Sequence, residues 1–190
     1  TAALLPSYYD TTESATVLLA RAEFAARRAV ELDSTLPEVQ IAQARASEEQ
    51  FHFRDALISV NKAIALDPNA TLAYALKYEI LTALGRAAEA DSAARRAVEL
   101  DAFTGIVLNN RALSLAALGN LDSAIRYSQR SVEVAPSEPS WKRTLAGLYG
   151  LAGRHRDAVA TCKAAGMDPT KCEELYAAVT GTAEGRATTI

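Results

Sequence analysis

Small apolar residues recur along the chain with a period of 34 residues. Five alanines set this register: Ala22, Ala56, Ala90, Ala124 and Ala158. Seven residues after each of them comes another small residue, four times alanine and once Ser131. A period of this length exceeds one helix or strand and is typical of a repeated supersecondary unit. The pattern therefore predicts a stacked array of similar units.

Each unit is predicted to be a pair of antiparallel helices. Glycine lies five residues before the registered alanine in three units, at Gly85, Gly119 and Gly153. Glycine tolerates positive φ, so it can end the first helix in a left-handed turn. Phe51 takes this position in the earlier unit. The small residues then let the second helix approach the first closely, and a proline at Pro68 and Pro136 is expected to open the following helix.

Three segments combine these residues in a recognisable order. The first is Leu84-Gly85 followed by Ala90 and Ala97, the second runs from 118 to 125 and continues to Pro136, and the third contains Tyr149, Gly153 and Ala158. In these features, and over roughly residues 17–170, the chain resembles the tetratricopeptide repeat family. The resemblance implies an all-α fold, a right-handed α-solenoid of about four helix-turn-helix repeats with terminal capping helices.

The register and the resemblance together give a predicted organisation of the chain. It consists of an N-terminal arm (1–13), a solenoid (14–180) and a flexible tail (181–190). The solenoid contains a half repeat (14–33), four repeats (37–70, 71–104, 105–138 and 139–170) and a cap helix (169–180). Gly166 falls where the last turn of the fourth repeat is expected, and we expect it to weaken that turn.

Composition supports helix and excludes several functional classes. The chain has 40 alanines among 190 residues, which favours helix over a β-sandwich or barrel. Its net charge of −3 gives no overall attraction to nucleic acid. No apolar run is long enough to cross a membrane, so we expect no direct membrane insertion. The chain begins at Thr1, which we interpret as processing or a fragment, and we favour a soluble, extracytoplasmic protein over a cytoplasmic one.

Basic residues occupy equivalent positions on the second helices and define what we call the basic ridge: Arg27, Arg28, Lys62, Arg95, Arg96, Arg130 and Lys163. A ridge of this kind can bind nucleic acid or lipid head groups. Glu31, Glu99 and Glu133 follow three or four residues later, where they can pair with the arginines. No aromatic residues are interleaved to stack on bases. We therefore interpret the ridge as a solvated face joined by salt bridges.

The sequence contains no constellation of residues that points to catalysis. There is no glycine-rich phosphate loop and no His-Glu-x-x-His zinc motif. The two histidines, His52 and His155, both lie at turns between the helices of a unit. We expect no enzyme activity, no metal site and no cofactor.

Two cysteines lie near the C-terminal end of the predicted solenoid. Cys162 is expected on the second helix of the fourth repeat, and Cys172 in the first turn of the cap helix. These faces should meet, so the pair can form a disulfide. Two separate buried thiols are the alternative interpretation, and a metal or redox role fits the spacing poorly.

The family resemblance implies a concave groove, lined by the first helices, that binds a protein or peptide segment, including one within a larger complex. Carried over by register, the groove positions are Arg45, Glu48, Leu72, Leu76, Glu79, Ile106, Asn109, Asn110, Leu113 and Arg143. The asparagine amides are expected to read a partner's backbone, unless they hydrogen-bond between repeats. For Leu76 and Leu113, the alternative interpretation is that they are core residues packed between helices.

Chaperone-binding members of the family use lysines to clamp the C-terminal carboxylate of a partner. At those positions this chain has Leu72, Ala75 and Ile106. The sequence therefore predicts a non-catalytic scaffold or assembly subunit with a different partner. The alternative is the regulatory repeat region of a larger bacterial signalling protein, because the turn at 51–56 resembles such arrays. We expect no nucleic-acid partner.

Overall fold

A computed structural model of the protein describes residues 15–174, and helices occupy most of this range. No strand occurs among these residues, so the all-α fold expected from the sequence is confirmed. The helices of the described part are α1 (Ala15–Leu32), α2 (Pro37–Glu49), α3 (Phe53–Leu66), α4 (Thr71–Ala83), α5 (Ala87–Leu100), α6 (Gly105–Ala117), α7 (Leu121–Val134), α8 (Pro139–Leu151) and α9 (His155–Ala164). Helical backbone begins again at residue 169 and reaches the end of the described residues.

Each predicted repeat contains one helix pair: α2 with α3, α4 with α5, α6 with α7, and α8 with α9. We call the earlier helix of each pair the first helix and the later one the second helix. The predicted N-terminal arm and tail, and the second half of the predicted cap helix, lie outside the described residues.

The chain divides into two compact units, Thr1–Asp101 and Ala102–Ile190, a division that the period of the sequence does not indicate. In the first unit consecutive helices from α1 to α5 pack on one another, and the first helices α2 and α4 are also in contact. In the second unit α6 to α9 pack in the same order, and the first helices α6 and α8 are again in contact.

The registered alanines are buried where the helices pack on one another. Ala56, Ala124 and Ala158 are completely buried, and Ala22 and Ala90 are nearly so. Larger apolar side chains fill the space beside them. In the first unit these are Val60, Leu76 and Ile80, and in the second they include Ile125, Leu145, Leu148 and Tyr149. We expect a side chain larger than alanine at the registered positions to overpack these contacts.

The turn between the two helices of a pair, which we call the corner, has the same backbone in each repeat. At the corner after α4, the Gly85 amide donates to the Thr82 carbonyl and the Arg86 amide to the Leu81 carbonyl. This is the Schellman arrangement, and it requires positive φ at the residue after the helix cap. Gly85 has φ +71°, and Gly119 and Gly153 have +79° and +70°. Phe51 adopts the same conformation, with φ +62°.

One expectation about helix ends is wrong. Pro68 and Pro136 do not open the following helices, because α4 begins at Thr71 and α8 at Pro139. Both prolines lie in the turns after α3 and α7, whereas Pro37 and Pro139 occupy the first helical turn. The effect at Gly166 is stronger than a weakened turn, because α9 ends at Ala164 and has 10 residues where α7 has 14. Gly166 has φ +79° and follows the end of α9, where its amide donates to the Lys163 carbonyl.

The structure joins Cys162 and Cys172 by a disulfide, with their Cα atoms 5.9 Å apart. Both residues are completely or almost completely buried, and both pack in the core of the second unit. Met167 lies in the intervening turn, with its Sδ 3.6 Å from Cys162 Sγ. The bridge therefore connects the end of α9 to the helical segment that begins at residue 169.

Candidate partner-binding surface

An ion-pair network lies on the first helices of the first unit. Arg45 of α2 donates from Nη1 to Glu48 Oε2 at 2.6 Å and to Glu79 Oε2 at 2.8 Å. Arg45 and Glu79 are 34 residues apart, so the same register position on α2 and α4 carries opposite charges. All three side chains are partly buried. The network therefore holds charged groups in fixed positions on the surface shared by α2 and α4.

The pKa values of these residues reflect partial removal from water. Burial raises the pKa of Glu48, Arg45 lowers it, and the nearby carboxylate of Glu79 raises it again, with a net increase. Burial lowers the pKa of Arg45, but Glu79 and Glu48 raise it by more, so the guanidinium stays charged. Arg45 thus lies between two carboxylates, one on its own helix and one on α4. With Glu38 and Glu49 exposed on α2, this face carries an excess of negative charge.

Two leucines of α4 that the sequence assigns to the groove have different positions in the structure. Leu72, in the first turn, is 57% exposed, whereas Leu76, one turn later, is 1% exposed and packs in the core with Val60 and Ile80. Leu76 therefore offers no surface to a partner. Leu72 remains an exposed apolar side chain on the same helix as Glu79.

The predicted groove positions of the second unit also differ in how exposed their side chains are. Leu113 of α6 is 39% exposed, Ile106 is half-buried, and Arg143 of α8 is exposed. Hydrogen bonds from the side chain and backbone of Ser140 lower the pKa of Glu138. The positive charge of Arg143 lowers it further, to a smaller extent. These residues leave a mixed apolar and basic surface on the first helices of this unit.

Asn109 and Asn110 are both buried, with Asn109 only 6% exposed. The Asn109 Oδ1 atom is inaccessible and accepts no hydrogen bond from the described residues. In this conformation neither amide can read the backbone of a partner. The sequence assigns them to the groove by their position in the 34-residue repeat. That position does not show whether a polar side chain lies at the surface or is buried beneath it.

The basic ridge is largely neutralised by ion pairs, as the sequence indicates. Arg28 pairs with Glu31 at 2.6 Å and Arg96 with Glu99 at 3.2 Å. In the same way, Arg27 pairs with Glu23, Arg95 with Asp91, and Lys163 with Glu173. The expected pair of Arg130 with Glu133 is replaced by a hydrogen bond from Arg130 to the Ala102 carbonyl at 2.9 Å.

Within residues 15–174, no three His, Cys, Asp or Glu side chains lie close enough together to hold a metal ion. None of the helices described is both long and apolar enough to cross a membrane. The arrangement of this part of the chain is that of an α-helical repeat protein whose first helices present charged and apolar side chains.

Comparison with known proteins finds the same repeat. Residues 107–138 match the sequence model of the tetratricopeptide repeat. This range covers α6 from its third residue, and α7 with the turn that follows. The recognition of tetratricopeptide repeats in the sequence is therefore confirmed. No curated protein sequence matches the chain significantly.

Three solved structures illustrate the similarity of fold. TTC0263, a thermophilic tetratricopeptide repeat protein of Thermus thermophilus, is 22% identical, with a TM-score of 0.72 over 94% of this chain and 97% of its own. YrrB, described as having an unusual peptide-binding site, is 20% identical, with a TM-score of 0.67 over 85% of each chain. The Cut9–Hcn1 hetero-tetramer of the APC/C contains a chain that is 14% identical, with a TM-score of 0.74 over 87% of this chain and 34% of the other.

Proposed function

We propose that the protein is a non-catalytic scaffold that binds a segment of a partner protein along its first helices. The Arg45–Glu48–Glu79 network is the observation that carries this proposal. Removing charges from water is unfavourable, so partly buried surface ions are retained where they are paired or used. The exposed carboxylates of Glu38 and Glu49 on α2 and the exposed Leu72 on α4 suit a partner segment with a basic and an apolar side chain.

The fold supports the same proposal. Peptide binding is part of the description of YrrB, and assembly with another chain is part of that of Cut9–Hcn1. Both are properties of those proteins, and they make a binding role reasonable for a chain with the same fold. The first helices of the second unit also present exposed side chains, Leu113 on α6 and Arg143 on α8.

The Cys162–Cys172 disulfide supports a role outside the cytoplasm. Disulfides persist in oxidising compartments and are rare where glutathione and thioredoxin keep thiols reduced. We therefore propose an extracytoplasmic location for the protein.

Site-specific photo-crosslinking in the native host tests the binding surface. A benzophenone amino acid replaces Leu72 or Leu113 on the first helices, and Lys62 on the second helix α3 is the matched control. We expect both first-helix positions to give the same crosslinked partner, identified by mass spectrometry, and the Lys62 position to give none. Adducts from Lys62 alone would show that the partner binds elsewhere.

Charge reversal then tests the chemistry of recognition on the identified partner. Glu49→Lys changes an exposed side chain, so the thermal midpoint should be unchanged while the Kd rises at least about fivefold, that is, by about 1 kcal/mol. Lys62→Glu, of the opposite sign on the other helix, should leave the Kd within about twofold. Equal effects of both substitutions would contradict the proposed surface.

A further inference from the structure

Phe51 occupies a position where the backbone favours glycine. It has φ +62°, in the left-handed region, and the equivalent residues of the later corners are Gly85, Gly119 and Gly153. Its amide donates to the Glu48 carbonyl, and the next amide donates to the Ser47 carbonyl, so the corner is a complete Schellman turn. A bulky residue in this conformation is strained, and strain that is retained in a structure points to a function.

Burial does not explain the phenylalanine. Its side chain is 78% exposed. A Cβ placed on Gly85, Gly119 or Gly153 would meet no heavy atom within 4 Å, so the equivalent corners give a Cβ no contact. Glycine would satisfy this turn with less strain, and the large exposed ring therefore needs a reason outside the fold.

The ring forms one wall of a surface pocket. Phe51 packs edge-to-face against Phe53, with ring centroids 6.0 Å apart and planes at 80°. Together with Leu84, from the end of α4, these rings line a pocket of about 420 Å³. His52, Arg54 and Asp55 complete its lining. All six residues belong to the first unit, so the pocket lies between the corners of its two complete repeats.

The pocket lining contains one cationic and one anionic side chain, Arg54 and Asp55. Arg54 is exposed and forms no ion pair with any residue in the described range, whereas Asp55 lies in the first turn of α3. A carboxylate at that position is stabilised by the positive end of the helix dipole. The dipole offsets part of the charge of Asp55, so the exposed guanidinium of Arg54 is the stronger attraction for a charged ligand.

We propose that the Phe51–Phe53–Leu84 pocket binds an apolar side chain of an acidic partner segment, with a carboxylate of that segment paired to Arg54. This is a second binding site, separate in its residues from the first-helix surface. Phe51 provides the exposed apolar wall, and the strained backbone is retained because binding uses the ring. The wild-type residue thus favours recognition over stability.

The test uses the complete chain and three blocked tripeptides, acetylated and amidated: Asp-Phe-Asp, Lys-Phe-Lys and Asp-Ala-Asp. Amide chemical shifts are followed by ¹H–¹⁵N NMR during titration to ~10 mM peptide, since binding by a single side chain is weak. We expect Asp-Phe-Asp to shift the amides of residues 51–55 and 84, with at least a threefold lower Kd than either control peptide.

Two variants separate the role of the ring from that of the charge. Phe51→Gly restores the residue found at the other corners, so the urea midpoint should be unchanged or higher while Asp-Phe-Asp binding falls at least fivefold. Arg54→Ala should abolish the preference for Asp-Phe-Asp over Lys-Phe-Lys, and Lys62→Ala, on the same helix but outside the pocket, should preserve it.

Three outcomes would overturn the inference. Lys-Phe-Lys could bind as well as Asp-Phe-Asp to the wild-type protein. Phe51→Gly could lower the urea midpoint, which would give the ring a structural role. Sedimentation could show a wild-type dimer that Phe51→Gly converts to monomer, which would make a second copy of the chain the occupant.

Discussion

At the level of single residues, the fold depends on alanines that allow two helices to approach closely. We expect Ala90→Leu to lower the free energy of unfolding by about 1–3 kcal/mol, because Ala90 is 3% exposed and the larger side chain overpacks its contact. Ala88→Leu, on the exposed face of the same helix, is the control and should change stability by less than about 0.5 kcal/mol. Urea denaturation measures both, and equal midpoints would show that the assigned register is wrong.

The sequence identifies such residues only where the same residue type recurs at the same position of several repeats. Ala90 is identified because four other alanines share its register, and Gly85 because two other glycines do. Leu72 and Leu76 are both leucines on α4, and only the packed structure shows that one is exposed and the other buried. Asn109 and Asn110 illustrate the same limit, because burial depends on neighbours that are distant in sequence.

At the level of helices, two glycines in the second unit offer a matched comparison. Gly147 is inside α8, and an added Cβ would meet nothing within 4 Å. Gly147→Ala should therefore raise the free energy of unfolding by about 0.5–1 kcal/mol, through its effect on helix propensity. At Gly105, the first residue of α6, an added Cβ would lie 2.9 Å from Trp141 Nε1.

Gly105→Ala should consequently give no gain in stability, and it should shift the emission of Trp141, the single tryptophan of the chain. Urea denaturation and fluorescence spectra measure the two effects. An unshifted spectrum together with a gain equal to that of Gly147→Ala would contradict the close contact between Gly105 and Trp141.

Helix boundaries are predicted correctly from the sequence only where a local backbone requirement determines them. The glycine corners are placed correctly by the sequence, since positive φ is a local requirement that glycine meets best. The prolines are misplaced by three residues, because Pro68 and Pro136 have an equally good place in the turn before the helix. Phe51 breaks the glycine pattern in the sequence, but the pocket it forms depends on Leu84, 33 residues away.

At the level of the whole molecule, the disulfide lies in the second of the two compact units. Closing a loop of this length stabilises a protein by about 2–3 kcal/mol in the chain-entropy account. Reduction should therefore lower the urea midpoint reported by Trp141, which also belongs to this unit. Reductant should have no effect on the Cys162→Ser/Cys172→Ser double variant.

Freshly isolated protein should accordingly show no free thiol when it is alkylated under denaturing conditions. Two free thiols would remove the support that the bridge gives to an extracytoplasmic location. An unchanged Trp141 midpoint after complete reduction would show that the bridge adds no stability to the unit.

The alanine contacts have a consequence for the thermodynamics of folding. Alanine has no side-chain rotamers to lose, so fixing it in a core costs only backbone entropy. It also buries little apolar area, and the heat-capacity change of unfolding is governed by the apolar area exposed. A chain whose helix contacts rest on Ala56, Ala90 and Ala124 should have a small heat-capacity change for its length. Its stability should then vary gently with temperature, with a broad maximum in place of a sharp one.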